Sequence, residues 1–175
     1  LLEAMLKVDG VDSVIIFTRT KVRADRVAGW LQRKAIRCVV LHSDLSQSER
    51  DRGMADFREG RHTVLVATDL AARGLDVPDV SHVINYDVPE HPEDYVHRIG
   101  RTGRVFTVGD AITLMTLDEQ KFVSAIESFI GQTIPRAALP DFPYKTPPAL
   151  QAYKAPVAHH FRLRRNIARS SRMRF

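Results

Sequence analysis

The sequence contains one cysteine, Cys38, among its 175 residues. One cysteine cannot form an internal disulfide, so we expect a cytoplasmic protein in a reducing compartment. No apolar run approaches the length of a membrane span and no secretory signal opens the chain, so we expect no contact with a membrane. No Cys/His spacing is typical of zinc, so we expect no bound metal. The opening, LLEAMLKV, lacks an initiator methionine, and we expect the chain to be cut from a longer protein.

Acidic residues are absent from the last 25 positions, which explains the net charge of +5. Residues 1–150 carry 19 Lys and Arg against 21 Asp and Glu, whereas residues 151–175 carry seven Lys and Arg and no acid. The main part of the chain is therefore not a generic basic surface, and any polyanion must be bound there by individually placed residues. The basic tail could grip RNA, solubilise the chain, or dock a protein or ribosomal partner.

Short β-branched runs alternate with amphipathic patterns, which is typical of an α/β domain with a central, mostly parallel sheet and helices on both faces. The predicted strands lie at 13–18, 37–42, 63–68, 82–87 and 110–116. The predicted helices lie at 21–34, 46–60, 91–101 and 118–131. Ser46 and Glu49 form a capping-box pair, and Val22, Val27, Trp30 and Leu31 are expected on one apolar face.

Proline density marks the end of this domain, because six of the nine prolines fall between 135 and 156. Such density favours an extended linker over regular structure. We therefore predict a three-layer domain at 1–134, a Pro-rich linker at 135–156 and an irregular basic tail at 157–175.

Two stretches carry chemistry and are expected on successive strand-end loops. HRIGRTGR, at 97–104, places Arg101 and Arg104 three residues apart, so both guanidinium groups can reach one phosphate. ATDLAARGLD, at 67–76, places hydroxyl, acidic and basic side chains directly after a strand. A capped loop is the alternative interpretation of the second stretch, whereas its last aspartate could accept a hydrogen bond from a ribose.

Five ordered motifs resemble the second RecA-like domain of DEAD-box RNA helicases, over roughly residues 1–140. They read VIIFTRTK, LHSDLSQSER, VATDLAARGLDVPDV, VINYDVP and YVHRIGRTGR. The FTRTK and LPDFPY stretches look similar to the bacterial RhlE-like branch. Two departures are VFTVGDA after the last motif, where the family has an alanine- and glycine-rich turn, and Ser43, where glycine is common.

The resemblance implies a role for each matching residue. Arg101 and Arg104 are expected to act as arginine fingers on the γ-phosphate of ATP, Gly74 and Asp76 to contact its ribose, and His97 to couple this segment to another domain. The RNA backbone is expected to contact Arg19, Thr20, Gln47, Arg50, Thr68 and Asp69. Arg73 and Arg98 are expected to bridge within the domain or between domains.

The sequence has no G-x-x-x-x-G-K-[ST] loop and no DEAD tetrad, which the family carries on its first RecA-like domain. By this resemblance the chain is half of an ATP-dependent RNA helicase and inactive alone. It needs the N-terminal domain to hold ATP with Mg²⁺, and its partners are RNA and that domain. The alternatives are a stand-alone RNA-binding or chaperone module and a helicase acting on DNA.

Overall fold

A five-stranded parallel sheet forms the centre of the computed structural model, which describes residues 1–8, 10–73, 77–102 and 110–137. Its strands are β1 Val14–Thr18, β2 Cys38–Leu41, β3 Val64–Thr68, β4 His82–Asn85 and β5 Asp110–Thr113. They lie in the order β2-β3-β1-β4-β5, and all four pairings are parallel. The five predicted strands are confirmed, each somewhat shorter than the run that predicts it.

Helices connect the strands and cover them. They are α1 Leu2–Met5, α2 Lys21–Arg33, α3 Gln47–Arg58, α4 Asp69–Ala72, α5 Pro92–Ile99 and α6 Gln120–Ile130, with a 3₁₀ turn at Leu117–Glu119. The predicted capping box of α3 is present, because Ser46 Oγ accepts from the Glu49 N–H at 3.3 Å and Glu49 Oε2 accepts from the Ser46 N–H at 2.8 Å. Within the described ranges, no helix is long and apolar enough to cross a membrane.

Both faces of the sheet are buried, and β1 shows this directly. Its Ile15 and Phe17 point to the side covered by Phe57 of α3, whereas Ile16 points to the side covered by Leu31 of α2. Because all five residues of β1 are buried, its apolar run is continuous rather than alternating. The expected three-layer α/β architecture is therefore confirmed.

Helix α2 is rotated differently from the prediction. Its buried residues are Ala24, Val27, Ala28 and Leu31, whereas Val22 is 53% exposed and Trp30 is only partly buried. The small side chains at 24 and 28 allow the helix to lie close to the sheet. Val22 is two residues from Ala24, about 200° around the helix, and so points away from the sheet.

Residues 97–102 of HRIGRTGR do not lie on a strand-end loop, contrary to the prediction. Residues 97–99 form the last turn of α5, and Thr102 is already beside the residues that precede β4, where its hydroxyl donates to the Val80 carbonyl at 2.6 Å. Eight helical residues rise about 12 Å, which returns the chain along nearly the whole length of β4. The Pro-rich linker and the basic tail lie outside the described residues from position 138 onward, so their bounds stay predictions.

Candidate functional site

Arg98 connects helix α5 to the ends of three strands. Its side chain is 2% exposed, and its Nε and Nη2 atoms donate to the two carboxylate oxygens of Asp69 at 2.6 and 2.7 Å. Its Nη1 atom donates to Asn85 Oδ1 at 3.1 Å and to the Asp87 carbonyl at 2.8 Å. The guanidinium also lies 5.2 Å from the centroid of the Phe17 ring. One buried cation therefore fixes α5 against the ends of β1, β3 and β4.

A small depression lies next to this cluster, and several predicted site residues line it. His97 and Arg101 are one helical turn apart and reach the depression together with Asp69 and Arg73. The Arg101 guanidinium has no hydrogen-bond or ion-pair partner among the residues that the structure describes. A half-buried guanidinium without a carboxylate is suited to an anionic group such as phosphate.

Arg73 forms the second bridge at this position. Its Nη2 atom pairs with the Asp94 carboxylate, which joins the end of α4 to the first turn of α5. The Arg73 side chain is 57% exposed, so this pair is much more open to solvent than the Arg98 cluster. Arg73 and Arg98 therefore both bridge within the domain, which is one of the two roles expected from the sequence.

Three predicted ATP-binding residues, Gly74, Asp76 and Arg104, lie outside the described residues. Of the predicted nucleotide contacts, the structure therefore positions Arg101, and it also positions His97, which is expected to couple this segment to another domain. In the described part of the chain, no group of three or more His, Cys, Asp and Glu side chains is arranged to hold a metal ion.

The predicted RNA contacts start at the carboxyl ends of two neighbouring strands. Thr18 of β1 is paired in register with Thr68 of β3, so Arg19 and Thr20 follow one strand where Asp69 follows the other. Parallel α/β sheets bind ligands at this edge, because strand ends and helix starts meet there. Arg19, Thr20, Thr68 and Asp69 therefore lie at one edge of the sheet, and their contact with RNA stays a prediction.

Each predicted RNA contact at the end of β1 already has a partner within the domain. The Arg19 N–H donates to Asp87 Oδ2 at 2.8 Å, and its Nη2 atom lies 2.9 Å from Glu119 Oε1. The Thr20 hydroxyl caps α2 by accepting from the Arg23 N–H at 3.2 Å. The Glu119 carboxylate holds the Arg19 side chain, and the helix cap holds the Thr20 hydroxyl. Both side chains are therefore positioned at the strand end without a ligand.

Gln47 and Arg50 extend this group along the first turns of α3. Gln47 Nε2 donates to Asp51 Oδ1 at 2.7 Å, and Arg50 Nη2 donates to the Ala71 carbonyl at 3.1 Å. Arg50 therefore ties α3 to α4, which starts at Asp69. The six predicted RNA contacts thus lie on three connected segments of one edge.

Ionisable groups around this edge are held charged by their partners. The Lys21 ammonium, 2.8 Å from Asp44 Oδ2, lowers the pKa of that carboxyl. Hydrogen bonds from Ser46 lower the pKa of Glu49 in the α3 cap. Cys38, by contrast, is a buried core residue, and burial raises the pKa of its thiol.

Two residues of this site had no predicted role, Asn85 and Asp87. Both lie in the VINYDVP stretch and are 0% and 2% exposed, and both accept hydrogen bonds from Arg98. Asp87 also accepts from the Arg19 N–H and pairs with Arg23. Two polar residues at the end of an apolar strand were the signal that could have found them, because buried polar groups need partners.

Comparison with known proteins gives a consistent result. The model of the family described as helicase conserved C-terminal domain matches residues 1–106. The mitochondrial DEAD-box ATP-dependent RNA helicase 9 of Arabidopsis thaliana is 50% identical over 117 residues, which are 67% of this chain and 19% of that protein. The ATP-dependent RNA helicase RhlB of Idiomarina loihiensis is 47% identical over 135 residues, which are 77% of this chain and 32% of that protein. The chain thus spans less than a third of each of these relatives.

Solved structures agree with the sequence comparison. The E. coli DEAD-box protein SrmB, solved bound to regulator of ribonuclease activity A, superposes with a TM-score of 0.72 at 39% identity, over 76% of this chain and 78% of that one. A DEAD box protein from Methanococcus jannaschii superposes with a TM-score of 0.70 at 36% identity, over 75% of this chain and 36% of that one. The three-layer architecture described above is therefore the RecA-like fold of such domains.

Proposed function

The chain belongs to the family of helicase conserved C-terminal domains of DEAD-box RNA helicases, and from this we propose that it is the second RecA-like domain of an ATP-dependent RNA helicase. In this proposal the whole protein uses ATP to separate short RNA duplexes. The chain contributes one wall of the cleft in which ATP and RNA are bound.

The observation that carries the proposal is the Arg98 cluster. Asp69 belongs to the edge where RNA is expected, and Arg101 follows α5, where the phosphate of ATP is expected. Arg98 lies between them, with its Nε and Nη2 atoms 2.6 and 2.7 Å from the Asp69 oxygens. A shift at one of these groups is therefore transmitted to the other through a buried ion pair, which is what coupling of two ligands requires.

The side chains have distinct tasks in the proposed reaction. Arg101, together with Arg104, neutralises the charge that develops on the transferring phosphoryl group, and such fingers contribute about 10³–10⁵ in rate. Gly74 and Asp76 hold the ribose of ATP, and His97 contacts the first domain. That first domain supplies the P-loop and the ligands of Mg²⁺.

RNA is held through its backbone in this proposal. Hydroxyl and guanidinium groups reach phosphate oxygens without reading bases, so Arg19, Thr20 and Arg50 favour RNA of any sequence. Target selection then falls to other segments or to partner proteins. The basic tail is one candidate, either as an RNA grip or as a docking segment for ribosomal or RNA-decay partners. SrmB, solved with a protein bound to it, supports the idea that such helicases take protein partners.

Finer assignments rest on shorter stretches of sequence. We propose a bacterial, cytoplasmic helicase of the RhlE-like branch, on the strength of FTRTK and LPDFPY, although relatives from bacteria and from eukaryotes both match. The proposed division into a domain at 1–134, a linker at 135–156 and a tail at 157–175 rests on proline density and charge. A stand-alone RNA-binding module is not favoured, because the relatives are named ATP-dependent helicases.

The decisive experiment measures RNA-stimulated ATP hydrolysis by this chain combined with a P-loop-bearing first domain. Wild type should hydrolyse ATP only when both halves and RNA are present. Arg101→Ala and Arg104→Ala should each lower the turnover rate by about 10³-fold or more. Arg37→Ala is the matched control, because Arg37 is exposed and directly precedes β2 at the opposite edge of the sheet. Equal rates in the finger variants and in the control would contradict the proposed role of the fingers.

A further inference from the structure

A groove of about 1140 Å³ runs beside α2, on the face of the sheet that α2 covers. It shares no lining residue with the depression at Arg101. Sites for small molecules commonly measure about 300–1000 Å³, so this groove is large enough for a stretch of polypeptide.

One wall of the groove is a row of side chains along α2. Arg23, Arg26, Trp30 and Arg33 recur at three- and four-residue spacing, so they project from one side of the helix. Arg23 pairs with Asp87, but Arg26 and Arg33 are exposed and have no partner among the residues that the structure describes. Two uncompensated guanidinium groups therefore flank the indole.

The floor of the groove is apolar. Tyr86 and Leu114 are partly buried, Met115 is 36% exposed, and all three line the same groove as Trp30. Exposed apolar surface rimmed by charge is typical of a protein-binding site. Arginine and tryptophan are also the residues that most often carry binding energy in such sites.

The spacing of the two free arginines indicates what would fit. Arg33 lies seven positions after Arg26 in the helix, a rise of about 10 Å. In an extended segment, alternate side chains lie on one side, so two carboxylates four residues apart lie on that side about 13 Å from each other, a span that two flexible arginine side chains can reach. An apolar side chain between those two carboxylates would then face Trp30.

We propose that this groove docks an extended acidic segment of a partner protein, with an apolar or aromatic residue between two carboxylates that pair with Arg26 and Arg33. Of the acids that line the groove, Asp87 pairs with Arg23 and Glu119 with Arg19, so Arg26 and Arg33 remain open to a carboxylate. A polypeptide suits the groove better than RNA, because an apolar side chain can cover Tyr86, Leu114 and Met115, whereas sugar and phosphate cannot. Arg19, an expected RNA contact, also lines the groove, but the inference does not use it or any residue assigned to ATP.

Trp30 makes the test direct, because it is the only tryptophan of the chain. The probe is a short synthetic peptide that contains the order Glu-Ser-Leu-Ser-Glu and no tryptophan, so that both carboxylates and the leucine lie on one side when it is extended. Titrating it into the full chain should shift the Trp30 emission to the blue and saturate, as the indole loses water. A peptide with lysine in place of glutamate should leave the emission unchanged.

Paired charge reversals test the role of the two arginines. The double variant Arg26→Glu/Arg33→Glu should bind the acidic peptide at least about tenfold more weakly, a loss of about 1.4 kcal/mol. The matched control, Arg37→Glu/Arg52→Glu, changes the net charge equally at two exposed arginines outside the groove and should bind like wild type. Circular dichroism should show both variants folded, because all four positions are exposed.

Four results would overturn the proposal. They are an unchanged emission with the acidic peptide, equal weakening in both double variants, a larger response to oligouridine than to the peptide, and an emission shift that follows protein concentration alone. The third would assign the groove to RNA, and the fourth to a second copy of the chain.

Discussion

Four acceptor atoms surround the buried guanidinium of Arg98, and they belong to Asp69, Asn85 and Asp87. Replacing it with alanine leaves these acceptors without a donor, and Asp69 with an uncompensated charge. Breaking a buried ion pair costs about 3–5 kcal/mol. Asp69 keeps 27% of its side-chain surface exposed, so we expect Arg98→Ala to lower the free energy of unfolding by about 3 kcal/mol, the low end of that range.

Urea denaturation of the chain measures this loss. Arg98→Lys should recover only part of the stability, because an ammonium cannot make two parallel bonds to one carboxylate. Arg73→Ala is the control, because it removes another paired arginine beside the same depression. Because its pair with Asp94 is largely exposed on the arginine side, the expected cost is about 0–1 kcal/mol. A similar loss in Arg98→Ala and Arg73→Ala would mean that the cluster does not anchor α5.

At the scale of elements, helix α3 packs closely on strand β2 because residue 53 is a glycine and has no side chain. A Cβ atom at Gly53 would lie 2.6 Å from Val39 Cγ1. Alanine would favour the helix by about 1 kcal/mol, but overpacking a core costs about 1–3 kcal/mol, and a valine side chain has little rotamer freedom to yield. We therefore expect Gly53→Ala to be destabilising, by about 1 kcal/mol net.

Gly29→Ala provides the matched control within α2, because its Cβ would meet only Arg33 Nη1 at an ordinary 3.7 Å. This substitution should stabilise the chain by up to about 1 kcal/mol. Thermal unfolding of both variants distinguishes the two outcomes. If Gly53→Ala also raises the melting temperature, the contact between α3 and Val39 is looser than the structure indicates.

Elements with a strong local signal were the ones that sequence predicted well. The runs of β-branched residues located all five strands, and the Ser46/Glu49 pair located the start of α3. The rotation of α2 was missed because four apolar residues near helical spacing allow two faces, and only the sheet selects Ala24 and Ala28 over Val22. The order of the strands has no local signal, since it depends on contacts between distant segments.

The site was predictable in its residue types but not in its connections. Arginines next to glycines indicated a phosphate contact, but residues 97–102 were wrongly expected on a strand-end loop, because helix α5 continues to Ile99. The pairing of Arg98 with Asp69 joins segments 29 residues apart, and the groove brings Trp30 beside Tyr86 and Leu114. Neither contact follows from periodicity or composition, because both are made only when the helices pack on the sheet.

For the whole chain, charge is divided between a nearly neutral domain and a basic tail. The seven Lys and Arg of residues 151–175 face no acid within that segment. Each phosphate neutralised on a single strand contributes about −0.7 to the slope of log K against log salt. If the whole tail contacts RNA, cutting the chain after Leu150 should therefore flatten that slope by up to about 5.

Fluorescence anisotropy with labelled oligouridine, over a series of salt concentrations, measures the slope. The control keeps the length of the tail but replaces its Lys and Arg residues with glutamine, so that it separates charge from chain length. Both variants should then show the same reduced slope, because the placed contacts at Arg19 and Arg50 are unchanged in each. Identical slopes in wild type and in both variants would remove the tail from RNA binding. They would leave docking to a protein, or solubility, as its role, while leaving the contacts of the folded domain untouched.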